Sequence, residues 1–195
     1  QIVDAHGNLV RELSYSSPYT NWQLTSPERE QAFAQILDEF EIDLVHFHHL
    51  AGHPPSLIHV AQQKGISTVF SAHDFFSLCH VANLVNDERR YCNPATLTAQ
   101  QCDKCLSNSY AILPGSQLVR RNAWRDLLES CDALVFNTQS SQALIAAIYP
   151  EINQHPKQYF APVPISPIAK MEKQRVQASP LQVAVMGNFL HHKGA

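Results

Sequence analysis

Three short apolar runs constrain this chain more than any other feature: Ile42 to His48 (IDLVHFH), Ser67 to Ala72 (STVFSA) and Asp132 to Asn137 (DALVFN). Each is rich in Val, Leu or Phe, too short for a helix and bounded by polar or turn residues, which suits strands buried on both faces of a sheet. Between the first two lie a Gly-His-Pro-Pro turn and a short helical stretch, Ser56 to Lys64, that stops at Gly65. A strand, loop, helix and strand in that order require parallel strands joined by a right-handed crossover. The chain is therefore predicted to be an α/β protein built on a parallel sheet.

The alternation extends in both directions. Ser26-Pro27 is a helix start, with a capping residue before a proline suited to the first turn. Phe33, Ile36, Leu37 and Phe40 then form one apolar stripe, expected to pack on the sheet, along a helix ending near Glu41. Downstream, Gln117 to Ser130 and Ser141 to Tyr149 read as helices and Gln158 to Val163 as a weak strand. Residues 1 to 25 show no clear period and read as loop with one short strand. A Pro-rich stretch from Pro162 to Pro180 reads as a linker before a further strand, Leu181 to Met186, that ends at Gly187.

At 195 residues the chain accommodates one domain and a piece of another. We assign 1–163 to the first domain, with a Cys-rich loop at 78–113, 164–180 to the linker and 181–195 to the start of the second domain. Opening at Gln1 and stopping at HHKGA, it reads as a fragment of a longer protein. The net charge of −3 offers no basis for a nucleic-acid partner. No apolar run approaches the roughly 20 residues that span a bilayer, and the first residues lack the pattern of a signal peptide, so a cytoplasmic location is expected.

The chemistry-bearing residues fall into three groups. His46, His48 and His49 end one predicted strand and His73-Asp74 ends the next, at the carboxyl edge where open parallel sheets bind ligands. Alternation places His46 and His48 on one face and His49 on the other, so the three do not form one metal site from the strand alone. Either packing or function accounts for His46 and His48. His73 stands where the backbone leaves the sheet and is the better functional candidate, with Asp74 orienting the loop or capping a turn.

Cys79, Cys92, Cys102 and Cys105 form the second group. Cys102-Asp-Lys-Cys105 is a C-x₂-C pair, whose two thiolates can reach one tetrahedral Zn²⁺ from a tight turn, leaving Cys79 and Cys92 as the other two ligands. A long irregular loop needs such a staple, although one buried cysteine and three loop thiols would satisfy the same sequence. Cys131 precedes a core strand and reads as packing. In the third group, Gly187, Lys193 and Gly194 outline a strand, a loop and a Lys-Gly turn, in which Gly permits close backbone approach and Lys supplies charge to an anion.

In order, DLVHFHHLAGHP, GISTVFSAHDFFSLC, the Cys-rich stretch ending CDKCL, CDALVFNTQSSQAL and VAVMGNFLHHKGA resemble the retaining GT-B glycosyltransferases of family 4, from about Asp43 to the end of the chain. The resemblance implies a Rossmann-like parallel sheet with helices on both faces, as a partial N-terminal, acceptor-side domain. It implies a nucleotide-sugar donor, a glycan or lipid-linked acceptor with peripheral membrane contact in the second case, and a donor-side domain beyond this chain. By the same resemblance, His73 and Asp74 serve catalysis and Gly187, Lys193 and Gly194 hold the donor phosphates. Many members carry an Arg where this chain has Asn188, which leaves Lys193 to act with loop amides or with a charge from elsewhere. Two other readings compete: a metal-dependent hydrolase using His46, His48, His73 and Asp74, and a noncatalytic module stabilised by structural zinc.

Overall fold

The computed structural model describes residues 1–162. The chain begins with a small antiparallel pair, β1 (Ile2–Val3) and β2 (Leu9–Arg11), where a single strand was expected. Helix α1 (Pro27–Glu39) follows. Then come β3 (Leu44–Phe47), α2 (Leu57–Gln63) and β4 (Ser67–Ala72). Next are two consecutive helices, α3 (Ala99–Tyr110) and α4 (Ser116–Ser130), and then β5 (Ala133–Phe136), α5 (Gln139–Ile148) and β6 (Gln158–Phe160). Strands β3 to β6 form one sheet in chain order, each pairing in parallel with the next. The α/β fold with a parallel sheet flanked by helices is thus the one the apolar runs predict.

Register explains where the core lies. Phe47, Phe70 and Leu134 are neighbours across three strands, and Ala72 pairs with Phe136. This face is buried against α1, α2, α4 and α5 through Leu37, Ile58, Trp124 and Ile145, with the Trp124 ring edge-on to Phe70 at 5.6 Å. The other face is more open: His46 is exposed, and Val69 and Val135 are only half-buried. The expectation that Ile42 to His48 is buried on both sides is corrected here. Strand β3 is the sheet edge, and its Leu44 is 54% exposed. An edge strand lacks one neighbour, so a short apolar run there keeps one flank in contact with solvent.

The 78–113 segment also departs from expectation. It contains a bridge between Val85 and Tyr91 and the twelve-residue helix α3, not one irregular loop. Helix α3 starts with a reciprocal capping box in which Thr98 and Gln101 satisfy each other's backbone amides. It ends on Ala111 in the left-handed conformation. Cys102 and Cys105 therefore lie three apart on a helix rather than in a tight turn.

Candidate functional site at the carboxyl edge of the sheet

The carboxyl ends of β3, β4 and β5 bring together side chains that lie far apart in sequence. Strand alternation places His46 and His48 on the open face and His49 on the other, as predicted, and the register of β3 on β4 brings His73 to the first pair and Asp74 to His49. His46 Nε2 is 2.7 Å from Ser71 Oγ, and its ring centre is 4.0 Å from that of His48. His48 Nδ1 hydrogen-bonds His73 Nε2. The planes of those two rings differ by only 10° with centroids 4.7 Å apart, and direct nitrogen contact at that separation means that they meet edge to edge rather than face to face. On the far side of His73, Asn137 Nδ2 lies 3.5 Å from Nδ1.

This arrangement couples the protons of the two imidazoles. An Asn137 amide that donates to His73 Nδ1 leaves Nε2 protonated, and that proton is the one shared with His48 Nδ1. Burial pulls the pKa of both His46 and His48 down, and repulsion from neighbouring imidazoles adds to it. Both shifts favour the neutral form of His46 and His48, which keeps hydrogen-bonding capacity without a charge. His73 itself is exposed at the strand end.

Asp74 works on the other side. Its Oδ1 accepts from the Phe76 amide at 2.7 Å, capping the turn that leaves β4, and Oδ2 pairs with His49 Nδ1. The His49 ring packs 5.7 Å from that of Phe76. Asn137 was not singled out from sequence, although it occupies the same edge position at the end of DALVFN that His73 occupies after STVFSA. That position, more than its residue type, is the signal that would have found it.

All four predicted metal cysteines line one cavity of about 250 Å³, together with Asp87. The thiols are free, and each is engaged elsewhere or half-covered. Cys79 Sγ accepts from the Val81 amide at 3.4 Å, and Cys102 Sγ from the Arg121 guanidinium at 3.3 Å. Burial raises the pKa of Cys79, Cys92 and Cys105 and pushes Cys102 up to about 11. Among the described residues no group of three or more His, Cys, Asp or Glu side chains is placed to hold a metal ion. As they stand, the thiols do not form the closed four-ligand site that their spacing predicts. The helix that carries Cys102 and Cys105 turns one of the pair towards Arg121. The ligand set needed by a metal-dependent hydrolase is likewise not assembled, because Asp74 faces away from the His46, His48 and His73 row.

Gly187, Lys193 and Gly194 lie outside the described residues, as do the linker and the final strand. Among the described residues no helix is long and apolar enough to cross a membrane.

A family model described as Glycosyltransferase Family 4 matches residues 5–155. Comparisons with curated proteins and with solved structures give no match. The matched span begins well before Asp43, where the motif resemblance starts, and takes in β2 and α1.

Proposed function

The chain belongs to glycosyltransferase family 4, and from that premise we propose that it is the acceptor-side part of a retaining enzyme that moves a sugar from a nucleotide-sugar to a glycan or lipid-linked acceptor. The observation that carries this reading is the convergence of His73, His48 and Asn137 at the carboxyl edge of a parallel sheet, where ligands of open α/β folds bind. His73 hydrogen-bonds the donor sugar or the charge that develops on it, and His48 and Asn137 set which of its nitrogens carries the proton. The sugar's hydroxyls would take the place of one of these two partners, and preorganised polar contacts of this kind act on rate by positioning and electrostatics. Asp74 holds the loop in place through the Phe76 amide and does not act as a nucleophile. Lys193, with Gly187 and Gly194, neutralises the departing diphosphate from the donor side.

The test is a titration of the longer enzyme, with its donor-side domain, using UDP-, GDP- and ADP-sugars. One of them should bind, and its sugar should be transferred with the anomeric configuration kept. The 195-residue chain alone should not turn over any of them, because the donor lies between two domains. An inverted product would overturn the retaining assignment. Robust transfer by this chain alone would overturn the division of labour.

A further inference from the structure

The segment that leaves β4 carries Asp74 near its start and Cys79 at its end, and its backbone turns inward. Phe76, Ser77 and Leu78 are 3%, 2% and 0% exposed. Inward-facing carbonyls need donors. Three buried side chains supply them one by one. Arg120 Nη2 donates to Phe76 O, Tyr149 OH to Ser77 O at 2.8 Å and Gln117 Nε2 to Leu78 O at 2.7 Å. Gln117 and Arg120 lie one turn apart on α4, and Tyr149 closes α5.

Arg120 is an unusual choice for such a task. It is 1% exposed and lies over the Phe76 and Trp124 rings at 4.5 and 5.5 Å, and no carboxylate among the described residues forms an ion pair with it. Its Nε and Nη1 atoms have no hydrogen-bond partner among the described residues. A methionine would fill much the same space without burying a charge, and such exchanges are often neutral or stabilising to a fold. What the guanidinium adds is control of one peptide group. Phe76 N holds Asp74 Oδ1, Phe76 O is held by Arg120, and Asp74 Oδ2 pairs with His49.

The hold continues into the cysteine-bearing helix. Asp103, between Cys102 and Cys105, is buried and accepts from Gly115 N at 2.8 Å and Gln117 N at 3.0 Å. It thereby fixes the start of α4, the turn that carries Gln117.

The structure assigns Gln117, Arg120 and Tyr149 as positioning residues that clamp three consecutive carbonyls of the loop after β4, with Asp103 of the cysteine-bearing helix as the anchor of that clamp. The assignment rests on the reading that this loop carries the working edge of a transferase, but its test involves no sugar. The clamp and the transferase reading therefore fail separately.

The experiment is amide hydrogen exchange and ¹⁵N imidazole spectroscopy on the 195-residue chain and three near-isosteric variants, Arg120→Met, Gln117→Leu and Tyr149→Phe. Exchange at Phe76, Leu78 and Cys79 should accelerate about tenfold or more, while the β4 amides stay close to wild type. The His49 Nδ1 resonance should lose the signature of its carboxylate partner, and that of His155, which bonds Cys131 O at 2.8 Å, should not move. Arg120→Lys should recover part of the protection. Unchanged loop exchange and an unchanged His49 resonance in the variants would overturn the assignment, as would equal acceleration of loop and β4 amides. If Arg120→Met does not fold, Tyr149→Phe decides alone, since it removes one hydroxyl and leaves the ring in place.

Discussion

Two regions of this molecule are rich in the residue types that bind metals and move protons, and they use them in opposite ways. At the sheet edge, His46, His48, His73 and Asn137 come from three strands and meet on an open face, with ring nitrogens directed at one another and towards solvent. In the 78–113 segment four cysteines come from one stretch of chain and line one cavity, yet Cys79 Sγ accepts from an amide and Cys102 Sγ from a guanidinium. Convergence from separate strands at a carboxyl edge produces a row of coupled hydrogen-bonding groups. Closeness in sequence produces a packed insert that supports the loop beside it. The comparison shows that the arrangement of such groups, rather than their number, separates a site from its scaffold.

The largest effect that would break this contrast is at His73. In the longer enzyme, His73→Ala should lower kcat/KM by about 10–10³-fold, the scale of losing one positioned polar contact in a transition state. Its stability should change by no more than about 1–2 kcal/mol, because His73 is exposed. Phe70→Ala, in the same strand but 6% exposed, should cost about 3–5 kcal/mol of stability. Denaturant midpoints and turnover measured on both variants decide the matter. Near-normal turnover in His73→Ala, or unfolding as severe as in the Phe70 variant, would make the histidine part of the core.

Asp103 sharpens the contrast from the other side. Asp103→Asn keeps one acceptor for the two amides at the start of α4 and should destabilise the chain by about 1–3 kcal/mol. The loosening should appear in hydrogen exchange at Gly115, Gln117 and Leu78 before it reaches the β5 amides. A variant as stable as wild type would show that the insert rides on the domain without supporting it.

The smallest effect concerns the thiols. Burial raises their pKa values, so the thiolate forms only above the ordinary cysteine range and less of it is present near pH 7.5. Alkylation of the folded chain by iodoacetamide should be about tenfold slower than that of the denatured chain, with a rate that rises as pH increases. Fast labelling of Cys79 or Cys102 at neutral pH would contradict this. Protection of all four by one co-purifying equivalent of zinc would show that their side chains turn onto an ion, restoring the closed site that the spacing predicts.

Much of the fold is legible in the sequence because the period of the apolar residues records burial directly. The runs ending at His48, Ala72 and Asn137 are strands within a residue or two, β4 matches residue for residue, and α2 stops just before Gly65. Helix α3 was also written in the sequence, as Thr98 three residues before Gln101. Cys102 and Cys105 at C-x₂-C spacing lie within that helix, where the same three-residue interval suits a helical face as well as a metal turn.

Strand alternation, a local property, determined that His46 and His48 share a face and that His49 takes the other; the register of β3 on β4 decided that His73 meets His48 and that Asp74 meets His49. Alternation did not determine that β3 is an edge of the sheet among the described residues, that the four cysteines line one cavity, or that Arg120, Tyr149 and Gln117 reach three successive carbonyls of one loop. Those contacts join residues 39 to 72 positions apart. No local period encodes them, because a long polar side chain reads as a solvated surface until packing closes over it. Strand order and the docking of α4 against β4 and of α5 against β5 decide where each of those polar groups ends up.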